Sequence, residues 1–155
     1  MKRILFLLMI AAVVLTPVLA LANDGHSPDS PVGLWIFRIT FAPGASPVYG
    51  GTVRFRLDGS LAGPGKDGLK NSEVNGEWIR VGRGEFAFTF VVDTYDDSGT
   101  FQSTHRVRGM MTISEDGLSA SGKTILEILD TSGNVVPPSP LTSTFIGSRI
   151  EVVPF

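Results

Sequence analysis

Residues Glu85 to Val92, EFAFTFVV, place Phe86, Phe88, Phe90 and Val92 at alternate positions, with Glu85, Ala87, Thr89 and Val91 between them. A period of two belongs to a strand with one buried face, and the aromatic and β-branched content fits that reading. The same alternation runs through Trp35, Phe37, Ile39 and Phe41, and through Val53, Phe55 and Leu57. In GTFQSTHRVRGMM it sets Phe101, Ser103, His105, Val107 and Met111 against Gln102, Thr104, Arg106 and Arg108. No stretch of ten residues has a helical period, so the chain is predicted to be all-β.

Turn signals punctuate these runs: Asp58-Gly59, Gly82-Arg83-Gly84, Asp97-Ser98-Gly99, Asp116-Gly117 and Ser132-Gly133-Asn134. Each contains a residue that tolerates the positive φ of a tight hairpin. The spacing predicts about eight strands, near 33–42, 49–58, 75–81, 84–94, 100–113, 117–129, 133–137 and 141–152. Two longer connections, Leu61 to Val74 and the proline-stiffened Val136 to Leu141, are candidate rim loops. Hairpins with one apolar face must close into a barrel or stack as two sheets. Short, even spacing favours an antiparallel up-and-down barrel, with a β-sandwich as the alternative.

The first 22 residues begin with Lys2 and Arg3, continue through an apolar run from Ile4 to Val18 and end in Ala20-Leu21-Ala22. That is the grammar of a secretory signal peptide cleaved after Ala22. The run is shorter than the ~20 residues of a spanning helix. A polar leader, 23–32, and a single domain, 33–155, follow. The expected location is periplasmic or extracellular, with no cysteine to carry a lipid. The whole chain has no cysteine, so redox chemistry, thiolate metal sites and disulfide staples are excluded. Its acidic side chains outnumber its basic ones, 15 to 13, and two of the basic residues, Lys2 and Arg3, lie in the signal segment, which speaks against a nucleic-acid partner.

Gly33-Leu34-Trp35 opens the first predicted strand, Gly76-Glu77-Trp78 opens the third, and Arg149 falls in the last. These features resemble the G-x-W signature of the lipocalins and the wider calycin superfamily, and in layout a group of small exported bacterial β-barrels of unassigned activity. The lipocalin T-D-Y motif has no counterpart in VVDTYDDSG. The resemblance implies that Gly33, Trp35 and Arg149 form an end-plug, with the tryptophan closing one end of the barrel and the arginine packed across it. An eight-stranded barrel is just wide enough either to be packed solid or to hold one small guest, and the expected function is binding of a small apolar or amphipathic molecule.

The residues offer little chemistry. His105, on an apolar face, is the weak catalytic candidate, and it is also a candidate ligand contact. Ser103, His105 and Asp93 make a triad only on paper, without a nucleophile elbow. Two histidines, one of them His26 in the leader, are too few for zinc, and Asp93 to Gly99 lacks calcium-loop spacing. No cofactor or metal is expected. Candidate ligand contacts are His105, Trp78, Phe55, Phe88 and Phe37, with Gly109, Ala120 and Gly122 leaving room for a guest. Arg54 and Arg56 could join Arg106 and Arg108 in an anion-binding stripe if their strands adjoin. The competing readings are a cofactor-free cyclase or isomerase of the allene oxide cyclase type, with His105 or Glu77 as its deep polar group, a structural protein with a solid core, and an outer-membrane barrel.

Overall fold

The computed structural model describes residues 29–41, 48–64 and 70–151. Residues 1–28, which include the signal segment and His26, residues 42–47 and 65–69, and the last four residues lie outside them. The described residues contain nine strands and no helix: β1 (Gly33–Thr40), β2 (Val48–Phe55), β3 (Ser60–Gly63), β4 (Lys70–Asn71), β5 (Val74–Gly82), β6 (Glu85–Tyr95), β7 (Phe101–Ile113), β8 (Ser119–Leu129) and β9 (Leu141–Arg149).

Eight of these strands close an antiparallel up-and-down barrel. In chain order β1, β2, β3, β5, β6, β7, β8 and β9 each pair with the next, and β9 returns to β1 with Trp35 opposite Arg149. Closure removes the exposed edges that a sandwich would leave. The two-residue β4 pairs only with β6, with Lys70 opposite Tyr95, and continues the line of β5. Between them the Ser72 amide donates to the Asp93 carbonyl and the Asp93 amide to Ser72 Oγ.

The strand set differs from the expected one at two places. No strand runs over 133–137, where only Val135 forms a bridge, to Leu129. Pro137, Pro138 and Pro140 cannot donate to a ladder, and Asp130 Oδ1 accepts the amides of Ser132 and Asn134, folding the segment into a turn. The missing stave is β3, inside the stretch expected to be a long connection. Leu61, its one large apolar residue, is fully buried opposite Phe55 and Gly76.

Inward-facing side chains form one core: Trp35, Val53, Phe55, Leu61, Val74, Phe86, Phe88, Met111, Ile113, Ala120 and Phe145. Each large side chain buried this way contributes ~1.5–3 kcal/mol. The hairpins are tight. Gly99 (φ +83°) and Gly117 (φ +74°) take the left-handed conformation, while Asp96 and Asp116 accept amide hydrogens from Ser98 and Leu118 across their turns. The outer face carries Arg106 and Arg108, which share the carboxylate of Glu127 at 2.8 and 3.0 Å. No helix of the described residues is long and apolar enough to cross a membrane.

Candidate functional site

One end of the barrel is filled by Trp35 and Arg149. Trp35 has no exposed surface, and the Arg149 guanidinium lies 4.7 Å from its ring centroid. Both side chains hold the segment that precedes β1. Trp35 Nε1 donates to the Pro31 carbonyl at 2.8 Å, and the two terminal nitrogens of Arg149 donate to the carbonyls of Val32 and Ser30 at 2.9 and 2.8 Å. Burial pulls the Arg149 pKa below the ordinary arginine value. Gly33 sits against this guanidinium, its φ of +137° open to glycine alone among common residues.

Above this end, phenylalanine rings interlock. Phe37 meets Phe145 edge-on at 5.3 Å, Phe145 meets Phe88 at 6.0 Å, and Phe88 stacks on Phe90 at 6.0 Å. These rings wall a cavity of about 90 Å³, completed by Ile39, Val53, Phe55, Leu61, Val107, Leu126, Thr124 and Ser143. Phe41 and Gly50, both exposed, also line it and mark where it meets solvent. The lining is apolar except for one feature: the hydroxyls of Thr124 on β8 and Ser143 on β9 are 2.6 Å apart and buried.

Of the ligand contacts expected from the sequence, Phe37, Phe55 and Phe88 line this cavity. Trp78 and His105 do not. The Trp78 ring packs edge-on against Phe55 and Phe86, and its indole N–H donates to the Arg56 carbonyl at 3.0 Å. His105 sits on β7 between Val92 and Ile128 of the flanking strands, half-buried, with burial lowering its pKa.

Two of the three small residues, Gly109 and Gly122, do not leave the room expected of them. A Cβ on Gly109 would meet Phe88 Cζ at 2.3 Å, and one on Gly122 would meet Phe145 Cζ at 2.5 Å. Each glycine lies beneath the ring of its cross-strand partner, so the missing side chain is already replaced.

The paper triad does not form. Asp93 accepts the Thr104 hydroxyl at 2.6 Å, and Ser103 pairs with Thr94 at 2.7 Å, so neither is joined to His105. The arginine pairs do not combine either. Arg54 is on β2 and Arg56 just beyond it, whereas β7, with Arg106 and Arg108, borders β6 and β8. Among the described residues no group of three or more His, Cys, Asp or Glu is placed to hold a metal.

Thr124 and Ser143 were not singled out in the sequence. The signal was present, since both fall at inward positions of alternating strands, Thr124 between Gly122 and Leu126 and Ser143 between Leu141 and Phe145. Their pairing depends on the β8–β9 register, which no local pattern encodes. Compared with protein-family models, curated proteins and solved structures, the chain gives no match.

Proposed function

We propose that this chain is an exported calycin-like barrel that takes up a small apolar or amphipathic molecule through the end opposite Trp35. The supporting observation is the phenylalanine-walled cavity reaching solvent at Phe41 and Gly50. Its volume, about 90 Å³, is several times what one water needs and smaller than the ~150 Å³ in which an engineered apolar cavity holds benzene. A narrow guest, or the unbranched end of a longer one, suits it. The cyclase reading draws no support from the polar groups proposed for it, because Glu77 is exposed and His105 lies outside the lining.

The test is native mass spectrometry of the mature protein from its host's secreted fraction, paired with retention of an apolar probe dye. A co-purifying small molecule, and dye retention lost in Val107→Phe with the fold intact by circular dichroism, are the expected results. An empty mass together with equal dye retention by the parent and the filled variant would overturn the proposal.

A further inference from the structure

Among the described residues only three polar side chains are buried: Arg149 at the closed end, and Thr124 and Ser143 in the cavity wall. The latter two are each 9% exposed. Together their hydroxyls own two O–H donors and four lone pairs. Their mutual bond uses one donor and one lone pair. No third described residue bonds either hydroxyl, so one O–H and three lone pairs stay available at the cavity surface.

A buried hydroxyl left short of partners is costly in an apolar setting. Valine and alanine would fill the two positions without that cost. The other cavity-lining residues offer no charged side chain, so a carboxylate or an ammonium would enter without a counter-charge, at a penalty larger than one hydrogen bond returns. A neutral oxygen meets the need: a carbonyl accepts the spare O–H, and an alcohol can also donate to a free lone pair.

We infer that Thr124 and Ser143 form a specificity subsite that selects, among narrow apolar guests, those bearing a neutral carbonyl or hydroxyl oxygen. The inference rests on the cavity being a binding site, as proposed above. An alkane of the same shape strands the O–H; a ketone satisfies it.

The experiment compares two isosteres, 2-hexanone and 2-methyl-1-hexene, which differ by an oxygen in place of a methylene. Binding is followed through the methyl NMR shifts of Val107 and Leu126 in the full mature chain. The parent protein should prefer the ketone by about 3- to 10-fold, the ratio that one neutral hydrogen bond supplies. Thr124→Val with Ser143→Ala removes both partners together, strands neither, and should abolish the preference, read as the ratio of the two affinities. Thr124→Ser keeps the hydroxyl and should keep the preference, so a fold defect in the double variant would not obscure the answer. Equal affinities for the two probes in the parent, or an unchanged ratio in the double variant, overturn the subsite and leave the cavity reading standing. Binding of neither probe overturns both.

Discussion

The Phe88 ring covers Gly109 on the neighbouring strand so closely that a Cβ there would meet ring carbons at 2.3 and 2.8 Å. The pattern recurs around the barrel, with Phe145 over Gly122 and Phe37 over Gly147, each an in-register cross-strand pair. A barrel of this size must fill its interior without overfilling it, and a large residue laid over an absent one on the next strand does so. Gly109→Ala should therefore destabilise the fold by ~1–3 kcal/mol through overpacking. Urea unfolding would measure it. Phe88→Leu in the same chain should recover part of the loss, and simple additivity of the two changes would argue against the pairing.

At the closed end, Trp35→Ala should cost ~3–5 kcal/mol, as a large aromatic truncation in a packed core does. Arg149→Met tests a different element. It keeps much of the aliphatic stem over Trp35 but deletes the bonds to the Val32 and Ser30 carbonyls. A loss of ~1–3 kcal/mol is expected from the stranded acceptors, with faster amide exchange in β1 near Leu34. If exchange there stays at the parent rate, Arg149 does not hold the segment.

The strands that could be read in the sequence are the long ones. β6 and β7 alternate over enough residues for the period to stand out, and the inward placing of His105 and Val107 follows from it. β3 offers four residues with one large apolar side chain, too short for a period, whereas Val135 and Val136 look like strand residues until the prolines beyond them are weighed. The cavity was only half legible. Phe37, Phe55 and Phe88 are inward by alternation, but the depth of Trp78 and His105 along the barrel depends on shear, which is a property of eight strands together. For the same reason the covering of Gly109 and the meeting of Thr124 with Ser143 lie in the register and not in any one segment.

Acid should weaken the turns together. Asp58 takes hydrogen bonds from the hydroxyl and amide of Ser60, Asp96 from the Ser98 hydroxyl and the Thr100 amide, Asp116 from the Ser114 hydroxyl and the Leu118 amide, and Asp130 from the amides of Asn134 and Ser132. Each carboxyl is thereby held below the ordinary value of 3.8. A depressed carboxylate lends stability above its unfolded pKa and loses it as the pH falls through the folded one. Stability should therefore drop below about pH 4. Converting all four to asparagine keeps an acceptor oxygen in each turn and removes the titration. Urea midpoints from pH 5 to pH 2 should fall less steeply in that variant, and parallel curves would show that the turns are not the acid-sensitive element.

His105 titrates in a separate window, and the sign of its effect follows from its burial. Packed between Val92 and Ile128, the imidazole is disfavoured as a cation and its pKa lies below the ordinary 6.5. The unfolded chain therefore takes up a proton near pH 6.5 that the folded barrel still refuses. Stability is fully present above that value and declines as the pH falls toward the folded pKa. His105→Gln should flatten the decline that begins near pH 6.5 without altering the loss that the turn carboxylates cause below about pH 4. The same variant separates a structural histidine from one that touches a guest. Because the cavity lining excludes His105, probe-dye retention should match the parent at neutral pH. A marked loss of retention with an unchanged stability profile would move His105 into the binding site and require a second chamber above Phe90 and Val107.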